Sequence, residues 1–169
     1  LQGLRKFNIF MSLMHFIQAV LVMMISDPNK GIVPITLNYL QFDIETKKLL
    51  PATEVIGEVN LAHFVIIFFL LSSFAHLFIA TVYRHTYEKD LLLGINKARW
   101  FEYALSASVM MIAISLLSGI YDLSSLVMIF TLDALMNLLG LAMEVGNTNK
   151  GKIKWLTYIL GCIAGIVPW

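Results

Sequence analysis

Five long apolar stretches constrain how this 169-residue chain can fold. They lie near residues 7–26, 58–83, 98–120, 123–144 and 154–169, and each meets or approaches the ~20 residues that a helix needs to cross a bilayer. Only 14% of the residues are charged, whereas a soluble domain carries about 25%. Since a segment in lipid must satisfy its own backbone hydrogen bonds, we expect an all-α polytopic membrane protein.

The fifth stretch is the shortest of the five. From Lys154 to Trp169 it has about sixteen residues, and a helix of that length spans ~24 Å, less than the ~30 Å hydrocarbon core. We therefore expect residues 1–169 to be a single membrane domain, and to be the front part of a larger protein or a truncated one.

The positive charges are distributed unequally between the two sides of the predicted bundle. Three fall in the long loop at 27–57, namely Lys30, Lys47 and Lys48. Nine fall on the other side: Arg5, Lys6, Arg84, Lys89, Lys97, Arg99, Lys150, Lys152 and Lys154. Because positive charge stays in the cytoplasm, the N-terminus is predicted to be cytoplasmic and the loop at 27–57 to lie outside. The net charge of +1 does not indicate nucleic acid as a partner.

Two loops carry further polar residues. The sequence predicts a β-hairpin for one of them and a solvated loop for the other. In the outer loop, Leu40 to Glu45 alternates apolar and polar residues, and Pro51 and Gly57 bound a second short extended stretch. This pattern predicts a two-stranded hairpin that packs on a neighbour such as a second copy of the chain, because an isolated hairpin is only marginally stable. On the inner side, residues 85–90 are predicted to form a solvated loop.

Glu102 is a carboxylate within an otherwise uncharged apolar span. It follows Arg99 by one turn, and no charged residue occurs from Tyr103 to Tyr121. A charge in this position costs at least ~2.5–3.5 kcal/mol, so it marks a candidate functional site. The alternative is a structural role in which Glu102 pairs with Arg99 at the start of the helix.

Two histidines are predicted to lie at the depth of Glu102. His15, His76 and Glu102 all fall roughly 7–14 Å from the inner boundary of their spans. Ser72 precedes His76 by four residues and shares its helical face. Together with Arg99, these residues predict a polar cavity that holds or accepts a proton. Alternatively, each histidine only donates a hydrogen bond between helices.

Asp133 is the second acid inside a span, near the middle of the bilayer. Met136 and Gly140 follow on the same face, where the missing side chain of Gly140 would leave room for a ligand or let two helices pack closely. The preceding span offers serines at 106, 108 and 115 as partners. A neutral, protonated Asp133 bonded to a serine is its lowest-cost state.

The sequence offers few candidate residues for a metal site, a disulfide or nucleophilic catalysis. No span carries a His-x-x-x-His or Glu-x-x-His pattern, the single Cys162 lies in an apolar run, and no nucleophile has an adjacent base. A small membrane enzyme therefore remains a third hypothesis, behind a ligand-binding bundle and a proton channel or transporter that uses Glu102, His15 and Asp133.

Several motifs in the spans resemble those of microbial rhodopsins. Arg99-x-x-Glu102-Tyr103-x-x-Ser106 resembles the third-helix signature of that superfamily, and Asp133-x-x-Met136-x-x-x-Gly140 is similar to its fourth-helix pocket pattern. More specifically, Arg99 to Met110, Gly161 to Trp169, Met14 to Phe16 and Ser72 to His76 resemble heliorhodopsins. The resemblance extends over nearly all of the chain and implies a seven-helix bundle, of which five spans are present, with an outer β-hairpin loop.

The resemblance also implies a cofactor and a set of site residues. The cofactor is all-trans retinal, with Glu102 as the counterion of its protonated Schiff base. His15, His76, Ser72 and Arg99 would form the polar cavity. The implied retinal pocket comprises Tyr103, Ser106, Ala107, Met110, Asp133, Met136, Gly140, Gly165 and Pro168. Asp133 departs from the family pattern, in which a neutral amide is expected. The lysine that attaches retinal belongs to a seventh helix absent from this chain, whose nine lysines all lie in loops or at span ends.

The function implied by the resemblance is light sensing by a photoreceptor that is not an enzyme and that signals rather than pumps ions. Its partners would be the lipid bilayer, retinal, a second copy in a homodimer and a cytoplasmic signalling protein. We expect a multi-pass protein in the plasma membrane of a prokaryote. Beyond Glu102, the third span offers only serines and methionines as polar groups, which argues against a pump.

Overall fold

Apolar helices make up most of the structure, a computed structural model that describes residues 2–148 and 152–168. The elements in chain order are α1 (Gln2–Ile25), β1 (Ile32–Asp43), β2 (Lys48–Asn60), α2 (Leu61–Ala80), α3 (Arg84–Leu92), α4 (Lys97–Leu117), α5 (Leu123–Gly146) and α6 (Leu156–Ile166). The helices α1, α2, α4 and α5 are long and apolar enough to cross a membrane. This confirms the predicted polytopic helical fold, although α6, in the fifth predicted span, has only 11 residues.

The long helices pack in the order of the sequence, with α1 on α2, α2 on α4, α4 on α5 and α5 on α6. Their contact faces carry small residues. On α4, for example, Ala104, Ser106, Ser108 and Ala113 are buried, while large apolar side chains such as Phe101 are exposed. Small residues let helix backbones approach closely, and lipid solvates the apolar exterior.

The outer loop forms the predicted antiparallel hairpin, which is longer than expected. β1 pairs with β2 from Ile32 opposite Asn60 to Asp43 opposite Lys48. β1 ends at Asp43 because Asp43 Oδ1 accepts hydrogen bonds from the backbone N–H groups of Glu45 (2.8 Å) and Thr46 (3.1 Å). Residues 44 and 45, predicted as strand, therefore lie in the turn. The second strand continues to Asn60, so α2 begins at Leu61 rather than near residue 58.

The hairpin is attached to the turn between α4 and α5. The backbone N–H of Thr36 donates to the carbonyl of Tyr121 at 2.9 Å. The backbone and side-chain nitrogens of Asn38 donate to Asp122 Oδ1 at 3.3 and 3.1 Å. The hairpin was expected to pack on a neighbour such as a second copy of the chain. In this structure it packs on a turn of its own chain.

Asp122 also caps α5, and its hydrogen bonds affect its protonation. Hydrogen bonds from the backbone N–H of Ser125, and also from the Ser125 hydroxyl and Asn38, hold the pKa of Asp122 below its ordinary value of 3.8. A lowered pKa means that the stabilisation is complete above the unfolded-state value and is lost as the pH falls through the folded-state value.

We expect the protein to lose stability as the pH falls from about 5 to below 3, and an Asp122→Asn variant to lose less of it. Thermal unfolding in detergent across this range measures the difference. Asparagine keeps a capping oxygen and does not titrate, so equal losses in the two proteins would show that Asp122 is not responsible.

The inner loop differs from the sequence prediction, because residues 84–92 form helix α3 rather than a solvated loop. Asp90 is only 6% exposed. Its carboxylate accepts hydrogen bonds from Tyr83 Oη (3.1 Å) and Lys97 Nζ (3.0 Å). This contact joins α3 to the first residue of α4, the helix that carries Glu102.

Candidate functional site

Glu102 lies where α2 and α4 meet, and two serine hydroxyls point at one of its oxygens. Ser72 Oγ of α2 donates to Glu102 Oε1 at 2.6 Å, and Ser106 Oγ, one turn along α4, donates to the same oxygen at 2.9 Å. Hydrogen bonds to an ionised acceptor are stronger than those between neutral groups. The arrangement therefore suits an anionic carboxylate held in a fixed position.

The two histidines at the predicted depth are in direct contact. The rings of His15 and His76 stack with their centroids 5.6 Å apart and an angle of 16° between their planes. His76 Nδ1 is 2.8 Å from Asn8 Oδ1, and His15 Nδ1 is 2.9 Å from Gln18 Oε1. An amide oxygen only accepts, so with the amides in these orientations each Nδ1 carries a hydrogen. In the neutral rings, each Nε2 then carries a lone pair, and the described part of the chain forms no hydrogen bond to it.

A cavity of about 540 Å³ connects these groups. Side chains of α1, α2 and α4 line it, including all five predicted polar members: His15, Ser72, His76, Arg99 and Glu102. At ~30 Å³ for each water, this volume has room for more than ten water molecules. A second cavity of about 350 Å³, lined mainly by apolar side chains, also borders Glu102.

Arg99 is paired with Glu144 and not with Glu102. Its Nη2 lies 2.7 Å from Glu144 Oε1 on α5, and Glu144 Oε2 accepts from the backbone N–H of Asn96 at 2.8 Å. The alternative in which Arg99 neutralises Glu102 is therefore wrong for this structure. Within residues 2–148 and 152–168, Glu102 forms no ion pair with a lysine or arginine.

Asp133 lies apart from this cluster, between α4 and α5. It is 6% exposed, and its Oδ2 is 3.0 Å from Ser108 Oγ. Ser108 follows Ser106 by two residues, which is ~200° around the helix. The two serines thus face opposite sides of α4, and Asp133 lines neither of the two cavities described above.

The other residues of the predicted retinal pocket do not lie together. Tyr103, Ser106 and Ala107 line the larger cavity with Glu102, and Met110 lies half-buried farther along α4. Pro168 is half-buried just after α6.

The remaining pocket candidates pack helices together. The space beside Gly140 is filled by the indole ring of Trp100, and a Cβ at Gly140 would collide with that ring. At the interface of α5 and α6, Met136 fills the space beside Gly165 in the same way. In this structure Gly140 therefore brings α4 and α5 together rather than bordering an open pocket.

Asn8 and Gln18, the hydrogen-bond partners of the two histidines, were not predicted from the sequence. Asn8 precedes His15 by two helical turns and Gln18 follows it by three residues, so both spacings place polar side chains on the histidine face of α1. These polar residues within an apolar span were the available signal.

Comparison with protein-family models identifies a match over nearly the whole chain. The family model described as Heliorhodopsin matches residues 4–169 of the chain. No match was found among curated proteins.

Proposed function

The chain belongs to the heliorhodopsin family of microbial rhodopsins, and we propose that it is a retinal-binding photoreceptor that signals light rather than pumping ions. The observation that carries this proposal is Glu102. It is a carboxylate with two hydroxyl donors and no ion-pair partner among the described residues, and it borders both the larger cavity and the mainly apolar one.

The residues around Glu102 fit a cationic chromophore. When bound, retinal would supply light absorption and isomerisation, and its protonated linkage to a lysine would carry a positive charge. In an apolar site such a charge needs a nearby anion, and Glu102 has that role in our proposal. Ser72 and Ser106 hold its carboxylate in place.

The attachment lysine has no candidate within the apolar parts of the described helices. Lys6 lies near the start of α1, Lys89 is on the polar helix α3, and Lys97 begins α4. We therefore propose that this lysine is on a seventh helix outside residues 1–169.

The two histidines provide the proton-accepting part of the proposed site. Each offers a free Nε2 while its Nδ1 is held by an amide oxygen, and both line the same cavity as Glu102. A proton that leaves the region of Glu102 has an acceptor within this cavity. With the N-terminus in the cytoplasm, the cavity lies in the cytoplasmic half of a prokaryotic plasma membrane.

The hydrogen bonds of α4 support sensing over transport. Past Ser106, the hydroxyls of Ser108, Ser115 and Ser118 donate to carbonyls of their own helix, at Ala104, Met111 and Ile114. Hydroxyls that are occupied in this way form no continuous proton path toward the outer side. The competing proposal of proton transport requires light-driven pH changes in sealed vesicles, and finding them would favour it over a sensor.

A homodimer is part of the proposal, and the hairpin supports it. Apolar side chains near its tip are exposed, namely Leu40, Phe42, Ile44 and Leu49. Such a surface fits a second copy better than water. We expect a dimeric mass in mild detergent, and a monomeric mass would count against this part of the proposal.

The proposal is tested by adding all-trans retinal to the purified full-length protein. We expect an absorption band in the visible region, clearly separated from the near-ultraviolet band of free retinal in the same detergent. If no visible band forms, the chain is not a retinal photoreceptor.

A further inference from the structure

Asp133 is a buried acid that the proposed photoreceptor site does not use. Its residue is 6% exposed, and its partner Ser108 is completely buried. The pair joins α4 to α5 on the face of α4 opposite Ser106 and Glu102.

The number of hydrogen atoms that Ser108 and Asp133 can donate indicates which of them is the donor in their contact. Ser108 Oγ lies 2.8 Å from the carbonyl oxygen of Ala104 and 3.0 Å from Asp133 Oδ2. A hydroxyl has one hydrogen, and a carbonyl oxygen only accepts. When the Ser108 hydrogen is used in the shorter contact with Ala104, the contact with Asp133 needs a second hydrogen, which only the carboxyl group supplies.

The surroundings of Asp133 also disfavour an anion. Within the described part of the chain, no lysine, arginine or histidine forms an ion pair with it. The nearby amide of Asn137 donates to the backbone carbonyl of Asp133 at 2.9 Å rather than to the carboxyl group. A buried carboxylate without a cation or a dedicated donor carries a large desolvation cost, which protonation removes.

We propose that Asp133 is a neutral carboxylic acid that donates its hydrogen to Ser108 Oγ. The resulting chain of hydrogen bonds runs from Asp133 through Ser108 to the Ala104 carbonyl and ties α5 to the backbone of α4. Asp133 is thus a positioning residue for the helix that carries Glu102, and a second proton-holding site separate from the Glu102 and histidine cluster. This assignment does not depend on retinal.

Infrared spectroscopy of the folded full-length protein, measured without retinal, tests the proposal. The spectrum should contain the C=O stretch of a protonated carboxyl group, shifted in D2O and lost in Asp133→Asn. In Ser108→Ala the band should move to higher frequency, because the O–H loses its acceptor. The same band should persist in Glu102→Gln, which separates it from the carboxyl group of Glu102.

A second measurement needs no substitution. Isotope labelling of the aspartate carboxyl carbons in the unmodified protein should lower the frequency of the same band. The proposal is overturned if no such band responds to labelling or to Asp133→Asn, or if Ser108→Ala leaves its frequency unchanged.

Discussion

Replacing Glu102 by glutamine is expected to move the visible absorption band of the retinal-loaded full-length protein. The substitution keeps the shape of the side chain and removes its negative charge. At a separation of about 4 Å and an effective dielectric constant near 20, the lost attraction for a cationic chromophore is about 4 kcal/mol. This corresponds to roughly a thousandfold change in proton affinity.

The direction of the shift reports the fate of the chromophore's proton. If the proton is retained, the band moves to longer wavelength, since the carboxylate stabilises the ground state more than the excited state. If the proton is lost, the band moves to the near-ultraviolet. Glu88→Gln is a suitable control, because Glu88 pairs with Arg84 on α3 and lines neither cavity. A band that stays in place in Glu102→Gln would remove Glu102 from the counterion role.

Replacing Gly140 by alanine is expected to destabilise the bundle by about 1–3 kcal/mol, the usual cost of overpacking a well-filled interface. The added Cβ would collide with the Trp100 ring. The Arg99 guanidinium lies 4.7 Å from the centre of that ring, which limits the movement that could relieve the collision. Either the ring or the spacing of α4 and α5 must therefore change.

Gly146→Ala provides a matched control on the same helix. No atom lies within 4 Å of a Cβ built at Gly146, so alanine there should leave stability unchanged or raise it slightly through its better helix propensity. Reversible unfolding of both variants in detergent measures the difference. Equal stabilities would mean that Trp100 moves aside without cost.

The helices and the hairpin were largely predictable, because hydropathy and alternation are local signals. The apolar stretches place α1, α2, α4 and α5 within a few residues of their observed ends. The turn after Asp43 was not predicted. The apolar Ile44 continues the alternating strand pattern, but the hydrogen bonds that the Asp43 side chain accepts end the strand before it. Helix α3 was not predicted. The contacts of Asp90 with Tyr83 and Lys97 that stabilise it depend on the fold, and the polar sequence of the segment does not indicate them.

Residue counts predict how deep each site residue lies in its span, but they do not predict the rotation of each helix about its axis. Residue counts placed His15, His76 and Glu102 in one layer, and the structure brings them to one cavity. The same counts did not show that Ser106 and Ser108 face opposite sides of α4 toward different acids. They also did not decide which acid pairs with Arg99, because its pairing with Glu144 depends on how α4 and α5 pack.

Because the hairpin is attached to the turn between α4 and α5, we expect the end of α4 beside that turn to be its better anchored end. Hydrogen bonds from Thr36 and Asn38 hold that end, whereas the other end is held through the side-chain ion pairs of Lys97 and Arg99. With 21 residues, α4 is a lever ~31 Å long. Each degree of tilt about the anchored end would displace the far end by about 0.5 Å, so a tilt of α4 that begins at Glu102 would also move the end to which α3 is attached.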